Sequence, residues 1–194
     1  STLEAYTRGF NYPPESDIKD YGDLPKLGLK TFFCSNVCAM YDRKVYEELG
    51  GFVTHTIFNE DMIYAAGLIE AGYSIAYAAD AQVYHSHNYG CIAQMKRNFD
   101  LGVSQAQYPE IFEKYPSEGE GIRMVRQTAA YVCRIQRPWL LVPLFFQSGF
   151  KYLGYLLGKN YQRLPRVVIR HCTMNKNWWK FPSKKRRKKY NNQR

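Results

Sequence analysis

The sequence predicts an α/β fold followed by a helical extension, and three observations carry that expectation. The apolar pattern from Thr31 to His85 reads strand, helix, helix, strand, which is the order of an α/β sandwich rather than of a bundle. Beyond His87 the pattern turns helical. Charge also divides along the chain: residues 1–120 hold 9 basic and 17 acidic side chains, whereas residues 121–194 hold 18 basic and no acidic ones. A field of one sign over the second part implies an anionic partner, whether phosphate, nucleic acid or membrane lipid. With 194 residues, 45% hydrophobic and 16% aromatic, the composition fits a folded domain with a core and excludes a disordered chain.

Taken in order, the first 30 residues predict a short helix and then a loop punctuated by Pro13, Pro14, Gly22 and Pro25. The apolar run Thr31–Tyr41 predicts a largely buried strand or strand-loop segment. Asp42 caps a short helix that stops at Gly50 and Gly51, residues able to take the positive φ of a helix end. Apolar Met62, Ile63, Ala66 and Ile69 place a helix over Glu60–Ala71, closed by Gly72. Tyr73–Ala79 and Ala81–His85 read as strands, and Cys91–Gln107 and Gly121–Arg137 as helices separated by a charged break at Ser117–Glu120.

Pro138–Gly158 is the most apolar segment, but its longest uncharged piece is 13 residues, short of the roughly 20 that a membrane span needs. A helix lying in the membrane surface is therefore expected. Trp139, Tyr152 and Tyr155 suit the headgroup level, and Lys151 and Lys159 can reach anionic lipid. The alternative is a helical hairpin buried on the domain itself. The last 11 residues, KKRRKKYNNQR, read as a solvated, disordered tail. Five cysteines at unpatterned spacing point to a reducing cytoplasm, and no signal-peptide pattern opens the chain. Cys34 and Cys38 would be half of a zinc site, without a second close pair to complete it.

Two clusters carry chemistry. Glu60 and Asp61 open a helix, where free amides and the dipole stabilise negative charge; a carboxylate there can take a proton from a hydroxyl nucleophile, although acidic residues also favour helix starts for stability alone. His85 and His87 alternate on a predicted strand, so both imidazoles would face one cleft and one could ligate a metal; two surface histidines are the plainer alternative.

The stretches FFCSNVCAMYDRKVYEELGGF (Phe32–Phe52), NEDMIYAAGLIEAGYSIAYAADAQVYHSHNYG (Asn59–Gly90) and QMKRNFDLGV (Gln94–Val103), in this order, resemble the acceptor-side half of family 2 glycosyltransferases of the GT-A fold, nearest to the rhamnosyltransferase-like branch. The resemblance covers Lys30–Val103 strongly and Arg134–Lys159 loosely. It implies that Asp61 is the general base, with Glu60 positioning the acceptor. It gives His85, or alternatively His87, a place in the coordination of a divalent cation, Mg or Mn, on the donor diphosphate. Ser35 and Asn36 resemble residues lining the sugar pocket. Gln94 and Arg97 match a QxxRW-type motif whose Trp is replaced by Asn98, which speaks against a long-chain polymerase.

The activity implied by the resemblance is an inverting, metal-dependent transfer of a sugar, rhamnose being the one the branch suggests, from a nucleotide-diphosphate donor to a lipid-linked saccharide acceptor. It places the protein peripherally on the inner face of the cell membrane, held by an anionic surface. Residues 1–107 would be the acceptor-side part of the catalytic domain, 108–183 a basic helical extension with the interfacial helix, and 184–194 the tail. The nucleotide-binding half and DxD motif of the family are not found in the sequence, so the isolated chain is expected to be inactive and to hold the cation weakly or not at all. The sheet edge that this leaves open offers a route to a homodimer. The alternatives are a nucleic-acid-binding module, suggested by the basic second part and its aromatics Tyr131, Trp139, Trp178, Trp179 and Tyr190 but expected to lack specificity, and a non-catalytic interaction domain.

Overall fold

Helix α1 (Thr2–Asn11) leads into strand β1 (Asp17–Lys19), the one-turn helix α2 (Leu24–Leu27) and a 3-10 turn at Gly28–Phe32 in the computed structural model, which describes residues 2–85, 89–116 and 118–180. Helix α3 (Arg43–Glu48) starts as the sequence predicts, because the Asp42 carboxylate accepts from the amides of Lys44 at 2.8 Å and Val45 at 3.1 Å. It stops at Gly50 and Gly51, with φ of +78° and +67°; a Cβ on Gly51 would also meet the Tyr46 ring at 2.7 Å. Helix α4 (Glu60–Glu70) and strand β2 (Ile75–Tyr77) come next, then α5 (Cys91–Gln107), α6 (Pro109–Phe112), α7 (Glu118–Arg134), a 3-10 turn at Pro138–Leu140, α8 (Leu141–Lys159) and α9 (Arg166–Cys172).

Among the described residues the sheet has two antiparallel strands, with Ile18 opposite Ala76. Two predicted strands do not form. Thr31–Tyr41 begins inside the 3-10 turn and continues as turns, and Ala81–His85 is irregular and exposed. A strand needs a neighbour for its backbone groups. With none alongside among the described residues, local bonds serve instead: the Phe33 amide donates to the Lys30 carbonyl and the Cys38 amide to that of Ser35. The Lys19 ammonium, buried at the end of β1, donates to the carbonyls of Lys30 and Phe33 and ties the sheet to this turn.

Apolar burial gathers in three places. Ile63, Ala66 and Ile69 of α4 pack on Leu24, Leu29, Phe32 and Phe112; these are largely the positions whose helical spacing marks the inward face. Phe99 and Val103 of α5 pack on Ile169 and Cys172 of α9. Leu3, Val132 and Leu144 join α1, α7 and α8. The closest packing is between α5 and α8, where glycines let two main chains touch: a Cβ on Gly154 would lie 2.1 Å from the Met95 carbonyl oxygen, and one on Gly158 2.1 Å from that of Phe99.

Asp100, 3% exposed, clamps the segment after α9 to α5 by accepting from the Thr173 hydroxyl at 2.6 Å and the amides of Met174 and Asn175 at 3.0 and 3.3 Å. Burial pushes its pKa up, and these three donors oppose that shift. Asp100→Ala leaves the Thr173 hydroxyl and the Met174 amide short of an acceptor, while the Asn175 amide keeps the Thr173 oxygen at 3.1 Å, and is expected to cost about 2–4 kcal/mol of stability in urea titrations.

The apolar segment departs from its expected extent. The 3-10 turn and α8 together make a 22-residue helical stretch, Pro138–Lys159, long and apolar enough to cross a membrane by length and composition alone. The 13-residue count stops short because it ends at Lys151, whereas the helix runs on through it. Its two faces differ. One face is locked to α5 by Gly154 and Gly158. The other exposes Trp139, Val142, Phe145, Phe146, Tyr152, Leu153 and Leu156 in a continuous stripe. Tyr155 is not on that stripe: it is buried, and its hydroxyl donates to the Gln105 side chain at 3.0 Å.

Candidate active site

The loop after Phe32 folds over the start of α4 and brings three predicted residues together. The Asn36 carboxamide donates from Nδ2 to Glu60 Oε1 at 3.3 Å, and its main-chain amide donates to Asp61 Oδ2 at 3.4 Å. The other Asp61 oxygen accepts from the Met62 amide at 2.8 Å, one of the free donors of the first helical turn. Asp61 is half-buried, and that burial pushes its pKa above the usual carboxylate range; the amides of Met62 and Asn36 oppose the shift and the Glu60 charge adds to it. The result is a fixed carboxylate with raised basicity beside a second carboxylate. Ser35 lies next to Asn36 and is half-buried, its carbonyl taken by the Cys38 amide.

Two residues of this site escape sequence reasoning. Tyr41 donates to Asn36 Oδ1 at 2.6 Å and lies 3.6 Å from Cys34 Sγ, so it orients the amide that spans both carboxylates. Burial raises its pKa far above the usual tyrosine value, keeping the donor proton in place. Its ring packs edge-on against Phe52 and Tyr64, with Tyr46 completing the aromatic group. The other is Asn59, the N-cap of α4, at φ +63° and 4% exposed, whose Nδ2 has no hydrogen-bond partner among the described residues. Asn tolerates this left-handed backbone better than most residues, and its position directly before Glu60 and Asp61 is the signal that could have found it.

The remaining candidates are dispersed. Arg97 stacks its guanidinium 4.7 Å from the Phe58 ring, beside Asn59 and the start of α4. Gln94, one turn earlier on α5, faces a cavity between α1, α7 and α8. His85 is exposed in the irregular segment, where its carbonyl accepts from Arg8, and His87 lies outside the described residues. No three His, Cys, Asp or Glu side chains converge as a metal site among the described residues, so these residues do not by themselves fit the divalent cation. Lys151 does not join Trp139 on the exposed stripe: burial on the opposite face of α8 pushes its pKa down, and it lines the same cavity as Gln94. Trp139 is 65% exposed, and Lys159 closes α8. Tyr131 stacks on Tyr6 with centroids 4.2 Å apart, Trp178 is buried, and Trp179 packs on Phe99 and Tyr161, so these aromatics are not open platforms for bases. Tyr190 and the tail lie outside the described residues.

A half-buried carboxylate pair at a helix start, held by an amide and backed by aromatic rings, is an arrangement suited to taking a proton from a hydroxyl. Comparison with curated proteins is consistent with that chemistry. Over 179 residues, 91% of this chain, it is 43% identical to the O-antigen chain rhamnosyltransferase RfbN of Salmonella typhimurium and 44% identical to the O-antigen chain rhamnosyltransferase WbaN of Salmonella anatum. The matched part is 56% of each relative, so the chain spans just over half the length of the curated relatives it matches. No protein-family model and no solved structure matches it.

Proposed function

We propose that this chain is the acceptor-side part of an inverting rhamnosyltransferase that builds a surface polysaccharide. The observation that carries this reading is the Asp61 carboxylate, held by the amides of Met62 and Asn36 and made more basic by burial. As the acceptor hydroxyl attacks the anomeric carbon of the donor sugar, its proton passes to Asp61 and the nucleoside diphosphate leaves from the opposite face. A single displacement inverts that carbon. Glu60, joined to Asn36, positions the acceptor. The similarity to two O-antigen rhamnosyltransferases supports rhamnose as the sugar and a polysaccharide as the acceptor class. The test is transfer from a nucleotide-diphosphate rhamnose to a lipid-linked saccharide by the full-length protein, with the anomeric configuration of the product read by NMR. Undiminished transfer by Asp61→Asn, or a retained configuration, would sink the reading.

The same reading lays the exposed face of α8 on the inner membrane surface. Trp139 and Phe145, 65% and 73% exposed, would enter the headgroup boundary, with Arg137, Lys159 and Arg163 near the ends of α8 against anionic lipid. Replacing both Trp139 and Phe145 by Ser is expected to weaken binding to anionic vesicles roughly tenfold or more in sedimentation assays. Unchanged binding would remove the membrane from the proposal and leave the transfer chemistry intact.

A further inference from the structure

The cavity of about 290 Å³ faced by Gln94 and Lys151 takes no part in the proton transfer at Asp61. Its walls come from α1 (Glu4), the start of α5 (Gly90, Gln94), α7 and the inward face of α8 (Gln147, Ser148, Lys151), with apolar patches between them. Neither the carboxamides of Gln94 and Gln147, the Ser148 hydroxyl nor the Lys151 ammonium makes a hydrogen bond to another described residue. These groups are half-buried and face the cavity, where their donors and acceptors are open to a ligand.

Charge narrows the class of partner. Desolvation pushes the Lys151 pKa down, and the Glu4 carboxylate opposes it. Glu4, however, already pairs with Arg8 at 3.0 Å. With one carboxylate against Lys151 and Arg8, the local balance is positive, and α5, 17 residues long, opens at Gly90 on the same space without a side-chain cap. An anion is favoured there. Amides and hydroxyls that both donate and accept, interspersed with apolar patches, suit a ring carrying several hydroxyls, and the volume is close to that of a single sugar with its phosphate. Gln94 also lies one helical turn before Arg97, whose guanidinium rests on Phe58 beside Asn59, so one stretch of α5 connects the cavity to the Asp61 site.

We infer that this cavity is a binding subsite for a hexosyl phosphate, with Lys151 on the phosphate and Gln94, Gln147 and Ser148 on the sugar hydroxyls. Its use as the acceptor's anchoring subsite rests on the glycosyltransferase reading; the binding itself does not. The phosphate can belong to a soluble sugar phosphate or to a lipid-linked one, and the chemistry recognised is the same.

Calorimetric titration of the full-length protein tests it with four probes: hexose 1-phosphate, a short-chain prenyl hexosyl phosphate, inorganic phosphate and a neutral methyl hexoside. Both hexosyl phosphates are expected to bind more tightly than either half alone. Lys151→Met is expected to weaken them by roughly ten- to hundredfold, and Lys151→Arg to restore part of the loss. Gln147→Leu should weaken the hexosyl phosphates while sparing inorganic phosphate. A preference for the prenyl ester identifies the lipid-linked source, and equal binding the soluble one; either supports the subsite. Wild-type affinity in a folded Lys151→Met protein, or inorganic phosphate binding as well as the sugar ester, overturns it. Transfer assays on the same preparations separate the two proposals: a protein that transfers sugar but shows no Lys151-dependent binding loses the subsite and keeps the function, and the converse result does the opposite.

Discussion

Asp61→Asn in the full-length protein is expected to lower sugar transfer by roughly 10²- to 10⁴-fold, the range that a positioned general base contributes, while the protein stays folded and its stability relative to wild type rises with pH. The two effects have one cause. Asn keeps the size of the side chain and one accepting oxygen, so one of the Asn36 and Met62 amides keeps its acceptor while the other meets the new NH2 group, and it cannot take a proton from the acceptor. The stability effect comes from the direction of the pKa shift. Because the folded state holds the Asp61 proton more tightly than the unfolded chain, whose value is about 3.8, the stabilising contribution of this group is present below that value and is lost as pH rises through the higher folded value. At pH 7 the wild type therefore carries a desolvation cost that the variant lacks. Melting temperature measured from pH 4 to 8 should show the variant gaining on wild type as pH rises. A variant less stable at pH 7 than at pH 4, relative to wild type, would contradict the burial that underlies the proposed base.

Gly158→Ala should be among the most damaging small substitutions in the chain. The new Cβ would lie 2.1 Å from the Phe99 carbonyl oxygen and 3.0 Å from the Gly102 Cα, and both contacts are main chain on a helix that cannot turn aside. The helices must separate, which opens the contacts of Phe99 and Val103 as well. Overpacking commonly costs about 1–3 kcal/mol, and a clash with main chain belongs at or above the upper end. For a chain of this size that is a fall of roughly 6–12 °C in melting temperature. Gly149→Ala on the same helix has the opposite expected sign: nothing lies within 4 Å of its Cβ, so the gain in helix propensity, about 0.5–1 kcal/mol, is unopposed. Scanning calorimetry of the pair distinguishes a packing seam from a general intolerance of α8 to substitution.

The helical elements could be read from local signals because the forces that place their ends act within one turn. Asp42 caps α3 through amides two and three residues on, Gly50 and Gly51 end it, and α5 runs over the predicted Cys91–Gln107. The strands could not be read in the same way. Thr31–Tyr41 and Ala81–His85 have strand-like composition, but a strand exists only against another, and the alternation of side chains does not say whether a partner is at hand. At the candidate site, residue types and family resemblance pointed to Asn36, Glu60 and Asp61. That Asn36 bridges the two carboxylates and that Tyr41 orients it depends on a loop contact across about 25 positions, which leaves no local pattern.

Helices α3, α4 and α5, the separation of charge between the two parts of the chain and the carboxylate pair at the start of α4 are legible without a structure, since each depends on neighbours in the chain or on composition, whereas helices α6 and α9 and the start of α7 at Glu118, within the predicted break, are not. Which face of each helix meets which partner depends on the packing of distant elements. A helix carrying two glycines four residues apart can be turned either way until a second helix presents its main chain to them. Once α5 docks on Gly154 and Gly158, the rotation of α8 is settled: Trp139 and Phe145 face outward, and Lys151, in composition one more basic residue of an interfacial helix, turns inward to a cavity beside Glu4.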